Sequence, residues 1–480
     1  MEVKLMWLSE KLAEFVYSTN YDDIPVEARR KAMDSVGDNI ANIFGALHHP
    51  QPHALLRTAE KIGGKEQATI IGLPNRVGAQ TAAYFNAILC DTLQYQDIVS
   101  PPTAHVWQFC EPASLAMAEA CESRGRDLIT GLVLGVELCL RFGLNLKYHL
   151  ESEVFGFGWS AVPAAAAAAK IGGLTVEQTA HAISLAAMNA PVPSVHKACN
   201  QYGFLRQPNE IGAPSSTAVM SVWMAAGGYI SPLDVFEGRG AFHRMVGCED
   251  LNIEGVLEGL GEEWRSTRPV FKHFPQCCLH FPAAEAAQAA REKGNTKLED
   301  IKKVYVRTLS WISEKPFNNA DPTDVHQATL SIQLGVAAAL LDIKPVWRWM
   351  DQEVFRAPEV RQLMSKVVVE GHEDFDIPFR NDYQSIGANV ELITDQGSVD
   401  ETVRLRLDSR FDDRKPDLIA KFRGLSEGFL SPDTQELFLT RLYQLPGIEN
   451  VRMLTEPLLS VIREYAATSD GESLTGSVGR

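Results

Sequence analysis

Six consecutive alanines at positions 164–169 constrain the fold of this chain more than any other feature of its sequence. Alanine has the highest helix propensity, and its small side chain lets neighbouring helices approach closely. Apolar residues at helical spacing also come after Ile24-Pro25. A proline at this point suits the first turn of a helix. The same spacing follows Thr175, which forms a capping-box pattern with Gln178. The first 250 residues therefore predict a packed, alanine-rich helical bundle.

The sequence pattern changes near Arg265, after which polar and apolar residues alternate in several segments. Such alternation is typical of strands that bury one face. The predicted strands are 303–309, 389–394 and 401–407. Turn-forming residues at 395–398 make the last two strands a hairpin candidate. Helical patterns at 284–291 and 331–341 lie between the strands.

Together these patterns predict a mainly α fold with two domains. The predicted bounds are 1–264 and 408–467 for an all-helical domain, 265–407 for a smaller α/β (α+β) domain, and 468–480 for a loose C-terminal tail. The tail is assigned as loose because it is rich in serine and glycine and lies at a chain end.

The charge balance argues against several classes of partner. The chain has 480 residues, with 45 Lys and Arg against 61 Asp and Glu and a formal net charge of −16, whereas nucleic-acid binding depends on clustered cations. The longest stretch without a charged residue, 211–233, is broken by glycines and prolines and predicts no membrane span. Charged residues interrupt the apolar residues at the N-terminus, unlike a signal peptide. We expect a cytoplasmic protein that binds neither nucleic acid nor a membrane.

The segment from Lys272 to His280 places a lysine, two histidines and two thiols within nine residues, near the predicted domain boundary. Ligands often bind between domains. A nearby cation lowers the pKa of a thiol, so Cys277 is a candidate for proton transfer, although the alternative is an inert thiol on a packed loop. The spacing matches no regular pattern of metal ligands, and we predict no metal site.

A second group of polar residues follows the helix that is predicted to end near Asp91. Gln94, Tyr95, Asp97 and His105 lie on a segment that two prolines exclude from a helix. A carboxylate, a phenol and an imidazole on one irregular segment can form an acid/base set. The alternative is a surface loop with scattered polar groups.

Two further segments are candidates for the lining of a pocket. Residues 155–160 alternate glycines with aromatic residues and end at Ser160. Between two apolar helices, a polar stretch carries Lys197, Gln207 and Glu210. Polar loops between buried helices often line sites. The alternative for residues 155–160 is simple packing of aromatic side chains. The alternative for the polar stretch is an ordinary connection between helices.

In their order and spacing, these segments resemble the MmgE/PrpD family of 2-methylcitrate dehydratases, cis-aconitate decarboxylases and iminodisuccinate epimerases. The resemblance runs from about Leu8 to about residue 450. The matching positions are Asn86, Asp97 and His105 for the family's Asn-Gly…Asp-Phe-Asp-Asp…Thr-His segment, 158–160 for its Gly-aromatic-His motif, and 330–332 for its serine-containing helix.

The resemblance implies a larger all-helical domain, completed by C-terminal residues, and a smaller α/β domain that acts as a lid over a site between the two. It also implies a homodimer and chemistry without a cofactor. Family members move protons and leaving groups on small di- or tricarboxylates. In this chain, Lys272 matches the family lysine near the lid.

The chain departs from the family pattern at several site positions, and so resembles a divergent member. Gln94 or Tyr95 stands where the family has its first aspartate, Ser160 replaces a histidine, and Cys277 replaces another. The segment from Gln207 to Glu210 lacks the family's lysine and histidine. Because a glutamine side chain exchanges no proton near pH 7, Gln94 and Gln207 can only bind or orient a substrate.

The sequence thus favours a cofactor-independent lyase, of the dehydratase or decarboxylase type, that transfers an α-proton on a small carboxylate or keto acid other than methylcitrate or cis-aconitate. The predicted catalytic residues are His105, Asp97, Lys272 and Cys277; the predicted substrate-binding residues are Gln94, Tyr95, Ser160, Lys197, Gln207 and Glu210. One alternative is an epimerase or isomerase of a similar substrate. Another is a catalytically silent family member that serves as a binding or scaffold protein.

Overall fold

The structure of the protein is a computed structural model, which describes residues 6–102, 104–147, 156–192, 199–200, 203–204, 207–407 and 417–459. Its first nine helices are α1 (Leu8–Ser18), α2 (Val26–Leu47), α3 (Pro50–Ile62), α4 (Ala79–Asp91), α5 (Val106–Ala120), α6 (Gly125–Asn145), α7 (Ala161–Ile171), α8 (Val176–Met188) and α9 (Ala213–Ala226). The following ten are α10 (Phe242–Met245), α11 (Ile253–Leu257), α12 (Phe281–Gly294), α13 (Val325–Ala328), α14 (Ile332–Leu340), α15 (Gln352–Phe355), α16 (Pro358–Met364), α17 (Glu373–Asn381), α18 (Leu418–Ser426) and α19 (Pro432–Tyr443).

The strands fall into one four-stranded sheet and several two-residue pairs. They are β1 (Asp97–Ile98), β2 (Leu146–Lys147), β3 (Cys199–Asn200), β4 (Gly203–Phe204), β5 (Asp250–Leu251), β6 (Val270–Phe271), β7 (Lys303–Thr308), β8 (Val367–Gly371), β9 (Ser385–Thr394) and β10 (Gly397–Arg406). The described residues confirm the prediction of a mainly α fold with a smaller α/β part.

The predicted alanine-rich bundle is confirmed around α7, which contains the alanine run 164–169 and packs against α5, α6, α8 and α9. All six alanines are buried. On α6, a Cβ added at Gly131 would lie 2.7 Å from the carbonyl oxygen of Ala167, and one added at Gly135 would lie 2.7 Å from the Ala167 Cβ. Small residues on both helices therefore permit their close approach.

Local signals set the starts of two helices as predicted. Helix α2 begins directly after Pro25. At the start of α8, Thr175 Oγ1 accepts a hydrogen bond from the Gln178 amide at 3.2 Å, and Gln178 Oε1 accepts one from the Thr175 amide at 3.1 Å. This reciprocal pair is the predicted capping box, and it satisfies two amides at the helix end.

The four-stranded sheet has the order β10-β9-β7-β8. Strands β9 and β10 form the predicted antiparallel hairpin, in which Thr394 pairs with Gly397. Strand β7 pairs antiparallel with β9 and parallel with β8. Helix α12 packs against β9 and β10, and α14 packs against α12, so that these two helices cover the sheet.

Strand β8 was missed by the sequence analysis. It opens with the run from Val367 to Val369, in which the first and third valines are buried. A short apolar run without alternation does not distinguish a strand from a segment of buried helix. Its assignment depends on pairing with β7, which lies far away in the sequence.

The chain returns to helices after residue 417, as predicted, and α18 packs against α2 near the other end of the sequence. Phe422 of α18 stacks on Phe438 of α19, with ring centroids 4.7 Å apart. Residues 452–459 are also helical. The domain bounds stay a prediction, and the predicted tail 468–480 lies outside the described residues. Within the described segments, no helix is long and apolar enough to cross a membrane.

Candidate functional site

Backbone pairing joins the two predicted site segments, which lie far apart in the sequence. The two-residue strands β1 and β6 are antiparallel, and Asp97 pairs with Phe271. Directly after β6, the Lys272 amide donates a hydrogen bond to the Gln96 carbonyl at 3.3 Å. The Lys272 ammonium, which is fully buried, donates another to the Gln94 carbonyl at 2.7 Å. Lys272 is thereby fixed against the loop that carries Asp97.

The Asp97 carboxylate caps the start of α5. Its Oδ2 accepts a hydrogen bond from the Trp107 amide and its Oδ1 accepts one from the Gln108 amide, each at 3.1 Å. Burial raises the pKa of Asp97 to about 7, although these two amides and the Lys272 charge favour the ionised form. The carboxyl group therefore changes its protonation near neutral pH.

The imidazole of His105 is held by the same loop. Its Nδ1 lies 2.6 Å from the backbone carbonyl oxygen of Asp97. Since a carbonyl can only accept, Nδ1 donates, and in the neutral ring Nε2 is the basic nitrogen. His105 is buried and directly precedes α5. The structure thus brings His105, Asp97 and Lys272 into one connected group.

A network of amides and a carboxylate, which the sequence analysis did not include among the site residues, supports this group. The Nε2 atoms of Gln96 and Gln108 donate to Asp91 Oδ1 at 2.8 and 3.2 Å. All three side chains are buried. Asp91 ends α4, Gln96 precedes Asp97, and Gln108 lies in the first turn of α5. The polar run after Asp91 was the available signal, but its partners required the fold.

Tyr95 and Gln94 have mainly backbone partners. The Tyr95 hydroxyl lies 3.1 Å from the His273 carbonyl oxygen and 2.7 Å from that of Pro345. Gln94 Nε2 donates to the Asp91 carbonyl at 3.1 Å. Both side chains are buried. Tyr95 therefore ties the loop to the α/β part of the chain.

A buried ion pair from the two ends of the chain lies behind this loop. Lys421 Nζ of α18 is 2.6 Å from Asp38 Oδ1 of α2 and also donates to the Tyr95 carbonyl. The ammonium stands 3.7 Å above the centre of the Tyr95 ring. Burial raises the pKa of Asp38 and lowers that of Lys421, while the mutual attraction of the pair opposes both shifts. The sequence analysis missed both residues.

The two thiols differ in environment. Cys277 is half-buried, and its amide donates to the Thr329 carbonyl at 3.2 Å. Cys278 is buried, and its hydrogen bond with Cys277 together with burial raises its pKa well above the ordinary value, although Lys272 acts in the opposite direction. A lysine in the same loop is thus insufficient to make Cys278 a thiolate.

Two further predicted residues, Ser160 and Glu210, lie on turns that contact each other. Ser160 closes the turn Gly158–Ser160, and Glu210 lies in the π-helical turn Gln207–Gly212; both are buried. Among the described residues, Ser160 Oγ has no hydrogen-bond partner. The predicted Lys197 and the side chain of Gln207 lie outside the described part of the chain.

The fold defines a mainly α protein in which the helical part and the smaller α/β part are joined by the β1–β6 pairing, beside the buried residues Asp97, His105 and Lys272. A family model of the MmgE/PrpD N-terminal domain matches residues 10–253, and one of the MmgE/PrpD C-terminal domain matches residues 274–442. The chain therefore belongs to the MmgE/PrpD family, as its sequence resemblance predicted.

Curated relatives are similar over most of the chain. The cis-aconitate decarboxylase of Mus musculus is 25% identical over 467 residues, which cover 91% of this chain and 89% of the relative. That of Homo sapiens is 26% identical over 463 residues, 90% of each chain. The cis-aconitate decarboxylase-like protein oryM of Aspergillus oryzae is 24% identical over 280 residues, 54% of this chain and 56% of the relative. At the level of the family, these relatives support a lyase of the dehydratase or decarboxylase type.

Proposed function

We propose that this protein is a cofactor-independent lyase that transfers a proton at the carbon next to the carboxylate or carbonyl group of a small acid. The observation that carries the proposal is the convergence of His105, Asp97 and Lys272 at one buried loop. Proton transfer next to a carboxylate requires a base, and it requires a cation or a donor where negative charge develops.

The contacts favour His105 over Asp97 as the proton-transfer group. Both Asp97 carboxylate oxygens accept backbone amides, whereas the His105 ring is oriented through Nδ1 so that Nε2 is its basic nitrogen. In an elimination, Nε2 takes the α-proton, the electron pair forms the double bond, and the leaving group departs with a proton. In a decarboxylation, carbon dioxide leaves and the imidazolium returns a proton to the carbon.

The charges in the site favour an acid with fewer carboxylates than cis-aconitate. Lys421 is paired with Asp38, so its ammonium supports the loop rather than a ligand. Gln94 and Ser160 are neutral. Among the described side chains that we assign to the site, Lys272 supplies the positive charge that stabilises developing negative charge. We propose a mono- or dicarboxylate, or a keto acid, as the substrate.

Proton NMR in deuterium oxide with a panel of small carboxylic and keto acids tests the proposal. If the protein is a lyase, one acid of the panel loses water or carbon dioxide and gives a new product signal. Exchange of one α-proton without a new product would instead establish the epimerase or isomerase alternative, which the half-buried Cys277 in the Lys272 loop favours as a second proton donor. If the spectrum of every acid stays unchanged while the protein is folded, the result would contradict the proposed enzymatic activity and favour a binding or scaffold role.

We also propose that the protein is a homodimer. Met188 of α8 and Met220 and Trp223 of α9 are exposed on two helices that pack together, and exposed apolar groups of this kind mark interaction surfaces. Light scattering should give twice the mass of the chain, and Trp223→Asp should give the monomer. Ile62→Asp, a matched change of an exposed residue elsewhere, should leave the mass unchanged. A monomeric wild type would contradict the proposal.

A further inference from the structure

His280 is a buried histidine that the proposed mechanism does not use. It closes the short turn Cys278–His280 directly before α12, and its amide donates to the Cys277 carbonyl at 3.0 Å. Its ring packs edge-on against Phe317, with centroids 5.8 Å apart and planes at 87°. Only 1% of the residue is exposed. The backbone and an aromatic neighbour therefore fix the ring in place.

The ring nitrogens of His280 make no hydrogen bond within the described segments, where neither Nδ1 nor Nε2 has a partner. In the same loop, Gln276 Oε1 also lacks a partner there, although its Nε2 donates to the Ser331 carbonyl at 3.0 Å. Burying a polar group without a partner is costly, and such groups in native structures call for a ligand, a water or a functional role.

Lys272 and His280 are buried at the two ends of one loop, in which Lys272 directly follows β6 and His280 directly precedes α12. Burial, and after it the Lys272 charge, lowers the pKa of His280 to about 3. The ring is therefore neutral at pH 7 and offers one N–H donor in the loop that also carries the Lys272 ammonium. An anionic oxygen that reached both groups would meet a hydrogen bond and a positive charge together, without a second cation.

We propose that His280 is a further catalytic residue, whose ring N–H binds the same carboxylate or keto oxygen of the substrate that Lys272 stabilises. The inference rests on the proposed function and adds a specific contact to it. When the α-proton leaves, its electron pair moves onto this oxygen, and the hydrogen bond from His280 strengthens as the charge grows. The step needs no further reactant.

The first test measures the steady-state kinetics of the His280→Phe variant with an acid that the wild type converts. Phenylalanine keeps the ring and the edge contact with Phe317 but removes the N–H, so we expect kcat/KM to fall about a hundredfold, mostly in kcat. His280→Asn restores a donor and should recover part of the loss. An unchanged melting temperature shows that both variants are folded.

His243→Phe is the matched control. In the described part of the chain, the buried Nδ1 of His243 also has no hydrogen-bond partner, and burial lowers the pKa of this histidine; however, His243 lies on α10, outside the site. Its kcat/KM should stay within twofold of the wild type. If His280→Phe is folded and keeps kcat/KM within threefold, the proposed role of His280 is wrong.

A binding measurement separates this inference from the proposed function. In nitrogen NMR of histidine-labelled protein, malonate, an unreactive dicarboxylate, should shift the ring signals of His280 in a saturable way, and Lys272→Met should abolish the shift. The same shift in a protein that converts no acid would overturn the lyase proposal and leave the His280 contact standing. Ring signals that malonate does not move would overturn the contact itself.

Discussion

The backbone carbonyl of Asp97 accepts a hydrogen bond from His105 Nδ1 at 2.6 Å, while the carboxylate of the same aspartate caps the helix that begins directly after His105. One residue thus fixes both the tautomer of the imidazole and the start of α5. The pairing of Asp97 with Phe271 then places Lys272 beside the loop.

His105→Asn should lower kcat about a hundredfold or more, because general acid/base catalysis contributes about 10²- to 10⁴-fold. His53→Asn is the control: His53 Nε2 makes a comparable hydrogen bond, 3.0 Å from the Leu47 carbonyl oxygen, but lies outside the site. Steady-state kinetics on the converted acid measures both. Equal losses in the two variants would contradict a catalytic role for His105.

Asp97→Asn should lower kcat/KM and flatten its pH dependence near neutrality. Because burial raises the pKa of Asp97 to about 7, its negative charge appears as the pH rises through that value, in the loop whose backbone holds the His105 ring, and negative charge there favours the imidazolium that forms when His105 takes a proton. We therefore expect wild-type kcat/KM to increase between about pH 6 and pH 8. The variant should lack this rise. A rise of the same size in the variant would assign the titration to another group.

Local patterns predicted most of the fold, but fewer of the contacts in the site. The capping box at Thr175, the alanine run 164–169 and the hairpin at 395–398 are signals within a few residues, and each is present in the structure. The sequence also placed His105 and Lys272 among the candidates. That the two belong to one group depends on two-residue strands, which leave no periodic pattern in a sequence.

The contacts between segments that are far apart in the sequence could not be predicted from it. Lys421 reaches Asp38 because α18 packs against α2, and nothing near either residue indicates the other. His280 looked like one more member of the cluster that begins at Lys272. That its ring nitrogens have no hydrogen-bond partner in the described residues is visible only in three dimensions.

Lys421→Met should destabilise the protein by about 3–5 kcal/mol, because it leaves Asp38 as a buried charge without its ammonium partner. Lys421→Met combined with Asp38→Asn removes both charges and should recover much of the loss. Urea denaturation of the two single variants and the double variant measures the coupling. Additive losses would mean that the ion pair contributes no interaction energy of its own.

Gly135→Ala should destabilise the bundle by about 1–3 kcal/mol, because the new methyl group would lie 2.7 Å from the Ala167 Cβ and 3.0 Å from the Pro163 carbonyl oxygen. Gly447→Ala is the control, since a Cβ there would meet no atom of the described residues within 4 Å. Ala167→Gly in the Gly135→Ala background should relieve part of the strain. Thermal unfolding compares the four proteins, and equal stabilities for the two glycine variants would contradict the packing argument.

Glu111→Gln should make stability less dependent on pH. Burial raises the pKa of Glu111 from 4.5 to about 8, so the folded protein binds a proton that the unfolded chain releases between these values. Its contribution is therefore fully present below about pH 4.5 and is lost as the pH rises through 8, at up to about 1.4 kcal/mol per pH unit. Glutamine keeps the size and an oxygen for the Asn39 amide, which lies 3.4 Å from Glu111 Oε2, without this titration. Urea denaturation at pH 5, 7 and 9 should show the variant gaining on the wild type as the pH rises, and parallel pH curves would show that Glu111 does not titrate as described.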